Sequence, residues 1–154
     1  MHLPLPPVPG IVFRRLRAAY ERGAAEMMLA DGGAPEPTVQ GQSGVVLFGL
    51  WDLAASDSRA LVAAAATRPL DAGGSVELCG VVVRASLRRR GLGRRLVNEV
   101  ADVLRSEGAE RLVARPERGR CPVASLLARA GFVAATGGGD APPGVGLGWR
   151  YLEL

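Results

Sequence analysis

The residues best suited to chemistry lie between positions 84 and 95, where six arginines and two glycines follow an apolar run. The turn at 88–93 reads Arg-Arg-Arg-Gly-Leu-Gly and stands where a helical pattern begins. Backbone N–H groups are unpaired at a helix N-terminus, and the macrodipole is positive there. Glycine also lets a ligand approach the main chain closely. The pattern therefore predicts a site for a phosphate-bearing ligand.

The elements that must position this turn follow from hydrophobic periodicity. The run at 78–83 is apolar and rich in valine, which favours a strand buried on both faces. An apolar stripe predicts a helix over 92–107. Other strands are predicted at 11–16, 45–51, 60–67 (where a helix is the alternative), 112–114, 132–135 and 147–152, and other helices at 16–30 and from Pro122 to Gly131. This order predicts an α+β fold with a mixed sheet.

Bulk composition narrows the classes of protein. The 154 residues, 48% of them hydrophobic, suit one domain at 11–154, preceded by a proline-rich arm at 1–10. No stretch approaches the ~20 apolar residues of a membrane span, and the N-terminus does not resemble a signal peptide. Cys79 and Cys121 form no CxxC pair, so we expect reduced thiols in the cytoplasm. Lysine is absent, so the chain has no lysine to form a Schiff base with a substrate and no P-loop lysine to contact a phosphate.

The net charge of +4 suits either nucleic acid or a polyanionic cofactor. The arginine-rich segment has no interleaved aromatic residue, which argues against a stacking platform for single-stranded nucleic acid. A solvated arginine cluster in an ordinary strand–turn–helix is the remaining alternative for this segment.

A wider combination of motifs carries a resemblance to a known family. A strand written E-L-x-x-V-x-V leads into R-x-x-G-x-G, and a later helix closes in Ala-Gly-Phe at 130–132. From about residue 45 to the C-terminus, and most specifically over 77–97, the chain resembles the GNAT family of N-acetyltransferases. The resemblance implies a mostly antiparallel mixed sheet flanked by helices, with acetyl-CoA as co-substrate and no metal.

The resemblance also implies which residues contact CoA. Arg88, Gly91 and Gly93 match the family's pyrophosphate motif, so backbone N–H groups along the turn would hold the pyrophosphate. The main chain of Val81–Val83 would pair with the pantetheine arm like an added strand. The implied contacts are Val81, Val82, Val83, Arg88, Arg89, Arg90, Gly91, Leu92, Gly93, Arg94 and Cys121.

Two catalytic roles are implied by position. An ammonium cannot attack a thioester, and Glu77, directly or through water, could remove its proton. A solvated carboxylate at a strand end is the alternative. Strict alternation places Glu77 on one face with Cys79, Val81 and Val83, although a β-bulge would break that parity. The N–H of Val83 is the implied donor to the thioester oxyanion.

The general acid cannot be carried over from the family. Leu127 stands where the family usually has a tyrosine, and Ser125, Cys121, Tyr151 or water are candidates to replace it. Cys121 precedes Pro122 at a predicted helix start, where the pKa of a thiol can fall. Counting from Ala124 puts Cys121 where the family often has an asparagine that contacts pantetheine, whereas counting from Gly131 puts Arg120 there.

The sequence therefore predicts transfer of an acetyl group from acetyl-CoA to an amine by direct attack in a ternary complex. The acceptor, a small molecule or a protein, is left open. An acyl-CoA-binding module with weak turnover is the first alternative, and a basic nucleic-acid-binding protein is the second. We expect no membrane partner, and short apolar edge strands are compatible with a homodimer.

Overall fold

The computed structural model describes residues 10–31, 44–53, 60–70, 74–114, 121–135 and 148–154, with only the backbone described at 121–124. Within these ranges the order of strands and helices is the predicted one. The elements are β1 (Ile11–Leu16), α1 (Ala19–Asp31), β2 (Val46–Asp52), β3 (Leu61–Pro69), β4 (Ser75–Val83), α2 (Leu92–Ser106), β5 (Arg111–Ala114), α3 (Cys121–Arg129), β6 (Val133–Ala134) and β7 (Arg150–Glu153). The predicted arm, except for Gly10, lies outside the described residues.

The strands form one sheet in the order β1-β2-β3-β4-β5-β7-β6. Every described pair of neighbours is antiparallel except β4 and β5, which run parallel. The expectation of an α+β fold with a mixed, mostly antiparallel sheet is confirmed.

Helices cover both faces of the sheet because each helix buries an apolar stripe. On one face, α2 packs its leucines and valines into the larger core, which also contains Phe48, Leu112 and the α3 residue Leu127. On the other face, Ala25 and Leu29 of α1 pack against a second core. We call these the α2 face and the α1 face.

No helix in the described ranges is long and apolar enough to cross a membrane.

The alanine run at 63–66 forms the centre of β3, so the helical alternative is wrong. All four alanines are fully buried between the two helical layers. Antiparallel pairing with β2 on one side and β4 on the other satisfies the main chain of this run. Tertiary pairing thus overrides the helix propensity of alanine.

The prediction that 78–83 is buried on both faces is wrong for its second half. Leu78 is buried, but Val81, Val82 and Val83 are only partly buried. The reason is the short pairing with β5, which joins β4 only from Ser75 to Glu77. Beyond Glu77 the described strands leave one side of β4 uncovered.

Candidate functional site

The turn between β4 and α2 reverses the chain within a few residues. A single 3-10 turn at Ala85–Leu87 follows β4, and Gly91 caps α2 with φ of 75°, in the left-handed region. Arg89 also has a positive φ, 68°, which is uncommon for a residue with a side chain. Arg88, Arg89, Arg90, Gly91 and Arg94 are exposed. The arginine turn, residues 88–93, therefore presents both its main chain and its cations to solvent.

The main-chain N–H groups of this turn have no backbone acceptor in the described part of the chain. Among the described backbone hydrogen bonds, the first to close α2 is from Arg95 N–H to Gly91 C=O. No backbone carbonyl in the described ranges accepts from the N–H groups of residues 89–94. These donors lie at the positive end of a 15-residue helix. Helix N-terminal N–H groups without a backbone acceptor are typical of anion-binding sites, and the anion site at this turn stays a prediction.

Gly91 and Gly93 have different roles. No atom lies within 4 Å of a Cβ placed on Gly91, so a side chain would have room there. Glycine is favoured at this position because the backbone is in the left-handed region. A Cβ on Gly93 would lie 3.2 Å from Leu126 and 3.4 Å from Val83. Gly93 therefore lets α2 start tightly against α3 and β4, which fixes the position of the turn.

The side of β4 that faces away from β3 is the second part of the site. Arg84 N–H donates to Val62 C=O across 2.9 Å. Because hydrogen-bonded residues alternate along an antiparallel pair, Val82 also faces β3, whereas Val81 and Val83 face away. Arg88 Nε donates to Val83 C=O across 3.2 Å, which shows that this side is accessible from the turn. We call this side of 81–83 the open edge.

A β-bulge separates the open edge from Glu77. Ala66 pairs with Gly80 and Thr67 with Leu78, so Cys79 is the extra residue of β4. Val81 and Val83 pack toward the α2 face, as Leu78 does before the bulge. Glu77 alternates with Leu78 and so points to the α1 face. The expectation that Glu77 shares a face with Val81 and Val83 is wrong because the bulge changes the parity.

Glu77 is buried and ion-paired. Its side chain is 7% exposed, and its Oε2 lies 2.6 Å from Nε of Arg68, the residue opposite it on β3. The carboxylate of Glu77 raises the pKa of the Arg68 guanidinium, mainly through this hydrogen bond and then through its charge. The sequence alone does not indicate that Arg68 is the partner of Glu77, because only the bulged register places the two residues opposite each other. Glu77 is therefore not the solvated strand-end carboxylate of the alternative interpretation.

The comparisons with known proteins agree with this geometry. A model of the acetyltransferase (GNAT) family matches residues 34–132, which include the open edge, the arginine turn and α2. This chain belongs to the GNAT family. No curated protein sequence gives a significant match.

Solved GNAT structures share the fold over nearly the whole chain. The ribosomal-protein-S18-alanine N-acetyltransferase of Escherichia coli is 20% identical, with a TM-score of 0.66 and 93% of each chain covered. A Bacillus subtilis acetyltransferase in complex with CoA is 16% identical, with a TM-score of 0.68, 94% of this chain and 99% of that chain covered. A GNAT acetyltransferase of Elizabethkingia anophelis with acetyl-CoA bound is 14% identical, with a TM-score of 0.69, 96% of this chain and all of that chain covered. At these identities the likeness shows the GNAT fold alone.

The positions considered for the general acid lie in different parts of the structure. Leu127 is 1% exposed and packs in the core of the α2 face. The backbone of Cys121 begins α3, but its side chain lies outside the described part of the chain. Tyr151 is partly buried on β7, opposite Val113 of β5.

Within the described ranges, no three His, Cys, Asp or Glu side chains lie close enough to hold a metal ion.

Proposed function

We propose that this GNAT protein transfers an acetyl group from acetyl-CoA to an amine by direct attack in a ternary complex. One observation carries the proposal. The N–H groups of 89–94, for which the described residues provide no backbone acceptor, follow the same strand whose open edge begins at Val81. A diphosphate joined to an extended amide-bearing arm would satisfy both sets of groups at once, and acetyl-CoA has this composition.

Each part of the proposed CoA site contributes through a different group. The N–H groups of the arginine turn would hold the pyrophosphate, with the exposed side chains of Arg88, Arg89, Arg90 and Arg94 adding charge. Leu92 and Gly93 are buried, so they would contribute only their N–H groups. Val81 would pair with the pantetheine amides through its N–H and C=O groups, and Val83 would do so through its C=O group. Val82 bonds to β3, so it would contact the arm through its side chain, and Cys121 stays a predicted contact.

Acyl transfer would need three further contributions from the chain. Val83 N–H would donate to the oxygen on which negative charge develops as the amine attacks the thioester. Glu77 would accept the amine proton through a chain of waters, because its carboxylate is almost entirely covered and lies six residues along β4 from Val83. The C–S bond would then break and release CoA as a thiolate, which takes a proton from solvent or a nearby acid.

Acetyl-CoA titration tests the proposal. We expect calorimetric binding at tens of micromolar or tighter, and release of free thiol when an amine panel is added. No binding in that range would contradict the proposal. Binding without thiol release over a broad panel would instead favour a second candidate, an acyl-CoA-binding module. The buried aliphatic side chain of Leu127, where the family usually has a tyrosine acid, is the observation that favours this candidate.

Proline substitutions test the donor role of Val83. A proline removes one N–H group, and at an unpaired edge it leaves the ladder with β3 intact. We expect Val83→Pro to lower kcat by about a hundredfold, the usual effect of losing one oxyanion donor, with little change in thermal stability. Val81→Pro is the matched variant on the same edge. Val82→Pro is the control for sheet damage, because it removes an N–H group that faces β3.

The three variants separate the possible outcomes. A loss of kcat in Val81→Pro but not in Val83→Pro would assign the oxyanion donor to Val81 instead. A kcat that stays at the wild-type level in both variants would exclude the open edge as the source of the donor. Melting temperatures measured in parallel show whether only Val82→Pro unfolds the sheet.

A further inference from the structure

A groove on the α1 face opens beside the proposed thioester position. It has a volume of about 510 Å³ and lies between α1 and the ends of β3 and β4. Val83, whose N–H belongs to the open edge, is one of its lining residues. Its apolar lining includes Ala24, Met27, Met28, Leu61 and Val82. A groove of this size and composition suits a small apolar molecule.

Arg84 supplies a cation at one end of this groove. Its Nη2 donates to the carbonyl of Leu61 across 2.6 Å, which fixes the guanidinium against β3. Its Nε is covered and has no hydrogen-bond partner among the residues that the structure describes. Within the described residues no carboxylate lies within 4.0 Å of Arg84. A partly buried cation without an anion is unfavourable, and a guanidinium is well suited to bind a carboxylate.

Arg84 is placed for the groove more than for the CoA phosphates. It lines the groove together with Met27 and Met28 of α1. The helix whose N-terminus would hold the phosphates, α2, packs on the opposite face of the sheet. Arg88 of the arginine turn also lines the groove, but its Nε donates to Val83 C=O. The guanidinium of Arg84 is held instead against Leu61 of β3, so Arg84 is the cation that we assign to a ligand in the groove.

Asp31 supplies the opposite charge at the α1 side of the groove. It is the last residue of α1, where the helix macrodipole is negative, and the last turn contains no basic residue. No cation pairs with it in the described ranges. The groove thus combines one carboxylate, Asp31, two guanidinium groups, Arg84 and Arg88, and an apolar lining.

We propose that the acceptor is a free α-amino acid with an apolar side chain, its carboxylate bound by Arg84. This inference rests on the proposed acetyl transfer. A zwitterion with an apolar body complements the groove in charge and in character. The N-terminus of a protein carries no carboxylate beside its amine, so it would leave Arg84 unpaired. Methionine side chains adapt to ligand shape, and Met27, which is 70% exposed, is available to close over the apolar part.

Three related acceptors test the inference: methionine, methioninamide and 3-(methylthio)propylamine, which lacks the carboxyl carbon. We expect kcat/KM for methionine to exceed that for methioninamide by tenfold to about a hundredfold, the usual worth of a hydrogen-bonded charge. Arg84→Gln should bring this ratio close to one, with little change in the Kd of acetyl-CoA. Arg90→Gln is the matched control, which should weaken acetyl-CoA binding and preserve the ratio.

Calorimetric binding of methionine to the CoA complex provides a second readout that does not depend on turnover. We expect wild type to bind methionine and Arg84→Gln to bind it at least tenfold more weakly. Equal use of methionine and methioninamide would overturn the amino-acid inference while acetyl transfer stands. So would CoA binding with neither turnover nor binding of methionine. Failure to bind acetyl-CoA at all would instead contradict the proposed function.

Discussion

Gly91→Asp is expected to weaken acetyl-CoA binding by about a hundredfold, whereas Gly91→Asn should weaken it by no more than about tenfold. The new carboxylate would lie at the N-terminus of α2, among the N–H groups proposed to hold the pyrophosphate. Two like charges about 5 Å apart repel by about 3 kcal/mol at an effective dielectric constant of 20, which corresponds to about a hundredfold. The effect should shrink at high ionic strength, because the site is exposed.

The asparagine variant separates charge from shape. Gly91 has φ of 75°, a conformation that aspartate and asparagine both tolerate better than other side chains. The two side chains are also nearly equal in size, and no neighbouring atom lies within 4 Å of the added Cβ. An aspartate at a helix N-terminus interacts favourably with the macrodipole, so Gly91→Asp should be at least as stable as Gly91→Asn. Equal affinities for acetyl-CoA in the two variants would contradict the anion site.

The arginine turn could be predicted from sequence because its determinants are local. Gly91 is needed where the chain enters a helix, and Leu92 begins the apolar stripe that the α2 face buries. Both signals act within a few residues, so a short window of sequence contains them. The strands and helices were also predictable from local patterns. Their observed ends differ from the predicted ends by up to three residues where both lie in the described ranges. An exception is β3, whose alanines become a strand only because two neighbours pair with it.

The chemistry around Glu77 could not be read from sequence because it depends on register. The bulge at Cys79 changes the face of every later residue of β4, and it aligns Arg68 with Glu77. Gly80 is the local indication of a bulge, because glycine inside a strand often accompanies one, but a glycine does not determine which residue is extra or how the register shifts. The open edge depends in the same way on where β5 stops pairing with β4. Such features arise from strands distant in sequence.

Arg84 illustrates the same limit for the acceptor groove. In the sequence it is one of six arginines between 84 and 95 and cannot be told from those of the turn. In the structure it stands apart, because the carbonyl of Leu61, 23 residues earlier, accepts its hydrogen bond. The α1 residues that line the groove with Arg84 precede it by more than 50 positions in the sequence. Only the folded sheet brings a cation and the methionines of α1 together.

Glu77→Gln is expected to lower kcat at pH 7 by about a hundredfold or more, within the usual range for loss of a general base. Activity should recover as the pH rises toward the pKa of the acceptor amine, because the amine then reaches the thioester already deprotonated. The pH–rate profile, measured at saturating acetyl-CoA, is the diagnostic. The Kd of acetyl-CoA should change little, since Glu77 faces away from the side chains of the open edge.

The ion pair with Arg68 requires a matched control, because Glu77→Gln also leaves that guanidinium without its carboxylate. Arg68→Gln breaks the same pair but keeps the carboxylate. Both variants should lose stability, by about 1 to 3 kcal/mol, since one partner of a hydrogen-bonded charge is left behind and Arg68 is partly solvated. Only Glu77→Gln should lose the rate at neutral pH. If both variants lose rate equally and keep the wild-type pH profile, Glu77 holds the bulge in place through Arg68, and the proton leaves the amine by another path.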